Sequence, residues 1–173
     1  MMGTRRLGFL VALIVLALDQ LTKWIVTGPL GINQLGDQLT LLPIFNFTYT
    51  ENNGISLGLL NATTDVGRWM LVALTSAIAI GVAVWIGRER NRIDQIALGM
   101  VLGGALGNIF DRARHGYVVD FADLHFGEFH PFLIFNVGDA AISIAVVILL
   151  LRAFLTRKER PKGPDTKETI EHA

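Results

Sequence analysis

Four stretches of this chain are apolar for long enough to cross a bilayer, and that limits the fold more than any other feature. A spanning helix needs about 20 predominantly apolar residues, at ~1.5 Å rise each. The runs Leu7 to Val26, Trp69 to Ile86, Ile93 to Phe110 and Phe132 to Leu155 are of that size. Only helices or closed barrels satisfy their own backbone polar groups inside lipid, and continuous apolar runs do not alternate as barrel strands do. With charged residues at 17%, a soluble globule is a poor reading. The fold class is therefore an α-helical integral membrane protein with four transmembrane helices, at about 7–26, 69–86, 93–110 and 132–155. A cleaved leader is not expected in the first run, which is long, lacks a small-residue cleavage pattern and carries Asp19 and Lys23.

The loops are uneven. Arg5-Arg6, Arg88/Arg90/Arg92 and the segment from Arg152 to Lys162 are basic, whereas 27–67 has neither lysine nor arginine. The positive-inside rule then puts both termini in the cytoplasm and turns 27–67 and 111–131 outward. In the first outward segment, rings alternate with polar residues from Phe45 to Thr50, and Asn52-Asn53-Gly54 follows as turn chemistry. We expect a small extracytoplasmic antiparallel β-sheet at the membrane surface, about 38–60, with a second alternating piece from Tyr117 to Leu124. Residues 1–155 read as one membrane domain. Residues 156–173, charged and containing Pro161 and Pro164, read as a disordered cytoplasmic tail. Trp69 and Trp85 suit the interfacial belt, and Gly99, Gly103 and Gly107 give span three a smooth packing face.

Polar groups at such depths need a partner or a task. Asp19 and Lys23 lie one turn apart on one face, with an anchoring ion pair, the lysine snorkelling outward, favoured over a role in a site. Asn108, Asp111 and Arg112 share a helix face by their i, i+3, i+4 spacing. Asp120 follows between Val119 and Phe121, and Asp139 lies seven residues, about 10 Å, into span four. Each acid alone is more simply a helix-terminal carboxylate or a partner for Arg112. Together, on one side of the membrane, they suggest a pair that shares one proton, one acid activating water while the other donates to a carbonyl oxygen. No metal is expected: His115, His125, His130 and Asp123 have no regular ligand spacing, and cysteine is absent. Neither a serine-elbow hydrolase nor a zincin is expected. Zero net charge gives no general attraction for nucleic acid.

Five motifs in order carry a resemblance. They are Asp19-Gln-Leu-Thr-Lys23, Asn52-Asn-Gly-Ile-Ser-Leu57, Gly103-Gly-Ala-Leu-Gly-Asn-Ile-Phe-Asp-Arg112, Val118-Val-Asp-Phe121 and Phe135-Asn-Val-Gly-Asp-Ala-Ala-Ile142. The chain resembles the bacterial lipoprotein signal peptidase family, signal peptidase II, over nearly all but the tail. The resemblance implies an aspartic endopeptidase of the cytoplasmic (inner) membrane, its active site facing outward. Such an enzyme cuts prolipoprotein signal peptides just before a diacylglyceryl-modified cysteine. It implies Asp120 and Asp139 as the catalytic pair, with Asn108, Arg112 and Asn136 orienting substrate and acids. It also implies that Asp19, Lys23, Asn52 and Gly54 shape the site, that Asp111 supports structure, and that Arg68-Trp69 lies at the interface. The implied partners are lipidated precursors, membrane lipids and the inhibitor globomycin, with no cofactor. Two positions depart from the family: Leu57 stands where phenylalanine is usual, and Gly138 where alanine is common.

Two other classes use the same features. A proton-coupled transporter or channel subunit would employ the buried acids as a relay, but no inverted repeat or broken helix supports it. A non-catalytic four-span scaffold leaves both acids without a task.

Overall fold

The computed structural model describes residues 3–54 and 64–158. Four helices, each long and apolar enough to span a bilayer, run α1 (Gly3–Thr27), α2 (Asp65–Arg88), α3 (Arg92–His115) and α4 (Val137–Lys158). Three antiparallel strands, β1 (Gln38–Leu42), β2 (Phe45–Asn52) and β3 (Val118–Leu124), form one sheet in the order β1-β2-β3. The expected segments about 38–60 and Tyr117–Leu124 thus join into a single sheet, while residues 55–63, Leu57 among them, lie outside the described residues. So do residues 159–173, most of the expected tail; its first residues, 156–158, continue α4.

Two boundaries differ from the sequence reading. Helix α3 does not end at Phe110 but continues to His115, stopped by Gly116 at φ 97°. Only glycine adopts that left-handed geometry without strain. Helix α4 begins at Val137 rather than Phe132, because Asn136 caps it. The Asn136 Oδ1 accepts from the Asp139 backbone N–H at 2.9 Å, while the Asp139 carboxylate accepts from the Asn136 backbone N–H at 3.3 Å. This reciprocal pair is a capping box. Asp139 therefore stands in the first turn of α4, not about 10 Å inside a span.

Helix α3 is the hub, packing against α1, α2 and α4. Its glycines explain why. A Cβ on Gly99 or Gly103 would strike the α1 backbone at Gly8 or Ala12, and one on Gly104 would strike the Gly138 carbonyl of α4. Backbones approach this closely only where side chains are missing, which is how apolar helices bind each other in lipid. At the other end of the bundle from the sheet, Gln95, fully buried, donates to the Ile86 and Glu89 carbonyls and accepts from the Gly8 N–H. One side chain thereby joins α1, α2 and α3.

The sheet end is held by its own apolar cluster: Val26, Ile32, Tyr49, Val119, Phe121 and Ala122. Phe47 meets Phe121 edge-on at 5.3 Å between ring centroids. Arg68, at the start of α2, donates to the Arg112 carbonyl at 2.7 Å and to the Ala113 carbonyl at 2.5 Å, satisfying the exposed C-terminus of α3.

The glycine contacts give a graded prediction. Gly104→Ala is expected to cost about 1–3 kcal/mol, since only a backbone shift relieves the overlap with α4. Gly81→Ala, with no atom of the described residues within 4 Å of its would-be Cβ, should be neutral or stabilising by about 0.5–1 kcal/mol. Unfolding of the two variants in detergent, compared with the parent chain, checks this ordering.

Candidate active site

Asp120 and Asp139 arrive from different elements. Every β3 residue from Val118 to Ala122 is buried against the bundle or the sheet, and Asp120, paired with Thr50 of β2, is 2% exposed. Asp139 is half-buried. Between them stands Asn136, wholly buried. Its Nδ2 donates to Asp120 Oδ1 at 2.6 Å and to Asn108 Oδ1 at 3.1 Å. Its Oδ1 holds the Asp139 N–H, as described above. The Asn108 Nδ2 donates to Asp139 Oδ1 at 2.8 Å. On the sheet side, Asn52 Nδ2 donates to Asp120 Oδ2 at 3.1 Å, and Asn52 Oδ1 accepts from the Gly54 N–H. The three asparagines Asn52, Asn108 and Asn136 thus surround the two acids, with Gly54 holding Asn52 from behind.

Beneath this layer lies an ion cluster. Lys23 Nζ sits 2.7 Å from Asp19 Oδ2 and 2.7 Å from Asp111 Oδ2, and donates to Asn108 Oδ1 at 3.4 Å. The pairing with Asp19 agrees with the i, i+4 reading, but the outward snorkel does not. Lys23 is 5% exposed because Asp111, carried inward by the longer α3, draws it into the bundle. The cluster also reaches the acids' backbones. Asp111 Oδ2 accepts from the Val119 N–H, beside Asp120, and Asp19 Oδ1 accepts from the Gly138 N–H, beside Asp139. Gly107 leaves room for the Asp19 carboxylate, which a Cβ there would overlap.

Arg112 adds charge without a settled partner. Asp120, Asp139 and Asp111 all act on it electrostatically, yet its buried Nε has no hydrogen-bond partner among the described residues. The reading of Asp139 as simply its salt-bridge partner is not supported, since no such pair forms among the described residues. Asp120 is titratable in a useful range. Burial first, and then the like charge of Asp139, push its carboxyl from 3.8 up to about 7. The amides of Asn52 and Asn136 and the charge of Lys23 act in the opposite sense.

The sequence reading missed two participants, Gln20 and Thr50. Gln20 donates to Asp111 Oδ1 at 2.9 Å and to Asp19 Oδ2 at 3.2 Å, although it directly follows Asp19 within the first motif. Thr50 is placed opposite Asp120 only by the sheet register. Gly138 is explained by contact: a Cβ there would lie 3.0 Å from the Gly104 carbonyl. His130 pairs with Asp123 at 3.1 Å and stacks on His125, and among the described residues no cluster could hold a metal ion. The chain does contain one Gly-x-Ser-x-Gly string, Gly54 to Gly58. A nucleophile elbow needs a strand turning directly into a helix at the top of an α/β sheet. Here β2 ends at Asn52 in an antiparallel sheet, and Ser56 lies outside the described residues.

Known proteins are similar to this chain in sequence and in fold. The family model described as signal peptidase (SPase) II matches residues 11–155. The lipoprotein signal peptidase of Rhizorhabdus wittichii is 53% identical over 160 residues, 92% of this chain and 91% of that protein. That of Sphingopyxis alaskensis is 51% identical over 166 residues, 96% and 95% of the two chains. A solved bacterial membrane enzyme, determined by the in meso method at 2.3 Å resolution, superposes with a TM-score of 0.75 at 28% identity, covering 91% of this chain and 94% of its own.

Proposed function

The chain belongs to the signal peptidase II family, membrane-embedded aspartic peptidases that remove signal peptides from prolipoproteins, and we propose that Asp120 and Asp139 are its catalytic pair. The observation that carries the assignment is their joint suspension from Asn136: one amide side chain holds the Asp120 carboxylate and, with its own oxygen, the backbone of Asp139. The membership favours peptidase chemistry and gives no support to the transporter alternative.

The mechanism follows from the shared proton. Buried like charges in one site do not both ionise cheaply, so the pair enters the reaction holding one proton. The ionised acid removes a proton from water as the oxygen attacks the scissile carbonyl, and the protonated acid hydrogen-bonds to the developing oxyanion. The roles reverse as the amide nitrogen leaves with a proton. Arg112, with an unpartnered buried Nε, donates to a substrate carbonyl and so fixes the peptide above the acids. Among the described residues β1 pairs with β2 only as far as Thr48, leaving Thr50 to Asn52 paired on one side, and the substrate peptide lies along that open side.

The sheet end faces the extracytoplasmic side, with the basic α2–α3 loop in the cytoplasm. The acyl chains of a diacylglyceryl-modified cysteine then rest in the outer leaflet while the bond before that cysteine reaches the acids. Globomycin competes for this place.

The direct test is cleavage of a lipidated precursor by purified protein, with and without globomycin, read by mass spectrometry of the new N-terminus. A product beginning at the modified cysteine supports the reading, and cleavage elsewhere overturns it. The pH profile is a second test. Above about 7 the second proton leaves and no general acid remains, so kcat/KM should fall about tenfold per pH unit. The stability sign agrees: the folded state holds this proton more tightly than the unfolded chain. The Asp120 contribution therefore declines as pH rises between about 4 and 7 and is complete below that window.

A further inference from the structure

Away from the catalytic acids, α1 and α3 enclose a groove of about 480 Å³ whose walls change character along its length. Leu16, Trp24 and Phe110 form the apolar part, and the last two are 62% and 47% exposed. Thr27, Arg114 and His115 close the end nearest the sheet. This is the profile of a glycerophospholipid, with acyl chain first and charged phosphate last. The level is right as well, because Thr27 and His115 are the final residues of α1 and α3.

Arg114 supplies the charge. It is exposed and has no ion-pair partner among the described residues, unlike Lys23 on the groove floor, whose charge Asp19 and the groove-lining Asp111 more than offset, so an anion is held at the Arg114 end and not on the floor. A guanidinium matches two phosphate oxygens with two parallel N–H donors, and His115 is held beside it by stacking on Tyr117 at 5.9 Å. The groove reaches the ion cluster, since Gln20, Lys23 and Asp111 line its floor, but its charged end at Arg114 and His115 lies away from the catalytic acids. Phe110 and Arg114, four apart, share one side of α3, whereas Asn108 and Arg112, also four apart, share another. None of Asp120, Asp139, Asn136 or Asn52 lines it.

We propose that this groove is a binding site for an anionic phospholipid of the surrounding bilayer, its phosphate on Arg114 and His115 and its acyl chain along Trp24, Phe110 and Leu16. The occupant is a bilayer lipid rather than the lipidated substrate, since the buried Lys23–Asp111 pair stands between the groove and the Asn108 amide that holds Asp139.

Native mass spectrometry of detergent-purified protein, offered equal amounts of phosphatidylglycerol and phosphatidylcholine, tests this without requiring any cleavage. The parent chain should retain phosphatidylglycerol preferentially, and Arg114→Gln should lower that preference about fivefold, the equivalent of ~1 kcal/mol for one cation at an anionic surface. Arg114→Lys should recover part of it. Arg90→Gln, an exposed change in the loop at the opposite end, should leave it intact. Arg114→Gln should cleave a micellar lipopeptide within about twofold of the parent, as surface changes do, which shows that it is folded. Equal retention of both lipids by the parent chain overturns the site, as does an undiminished preference in Arg114→Gln or an equal loss in Arg90→Gln.

Discussion

Asp139→Asn and Asp120→Asn are each expected to give folded, membrane-inserted protein that cuts a lipidated precursor at least about 10³-fold more slowly than the parent chain, the scale of a lost general acid–base group. Asparagine keeps the size of the side chain and one acceptor oxygen, so the Asn108 bond to position 139 and the Asn136 bond to position 120 both survive. What disappears is the ability to hand a proton back and forth. Folding should suffer little, and Asp120→Asn should if anything be more stable above pH 7, where the parent carries an ionised buried carboxyl. Because the two acids act as one unit, the double variant should be scarcely slower than either single one. Unfolding temperature in detergent and precursor processing, measured on the same preparations, separate chemistry from folding. Near-parental processing by either variant would remove that residue from the mechanism.

Much of this arrangement was visible in the sequence because lipid leaves a chain few options. Apolar runs of twenty residues become helices, and an acid within or beside them must be partnered, so Asp19, Lys23, Asp111, Asp120 and Asp139 stood out before any contact was known. The glycine spacing on α3 was equally plain, since four-residue periodicity is a property of one helix. The start of α4 was not. Hydropathy counts Phe132 to Phe135 as part of a span, whereas the capping box of Asn136 and Asp139 sets where the helix begins, and hydropathy is blind to capping. The inward turn of Lys23 was hidden for a related reason. Its second partner, Asp111, lies 88 residues away and comes into reach only when α3 runs past Phe110. Sheet register, which sets Thr50 opposite Asp120, is a relation between strands rather than a property of either.

The same cluster yields the largest expected effect on stability. Lys23→Met keeps the length and apolar stem of the side chain but strands Asp19, wholly buried, and Asp111, 1% exposed, facing each other without their shared cation. Breaking a buried ion pair from one side costs about 3–5 kcal/mol, far more than an exposed pair, because the remaining buried charges have no countercharge and water does not reach them. The damage should reach catalysis by a traceable route. Asp111 holds the Val119 N–H and Asp19 holds the Gly138 N–H, so relaxation of either carboxylate moves a residue adjacent to Asp120 or Asp139. A displacement of about 1 Å at reacting groups costs on the order of 10²-fold in rate. Adding Asp19→Asn and Asp111→Asn to Lys23→Met removes the stranded charges and should recover a large part of the lost stability. If Lys23→Met instead unfolds like the parent at pH 8, the cluster is dispensable scaffolding, and the catalytic acids owe their positions to the asparagines alone.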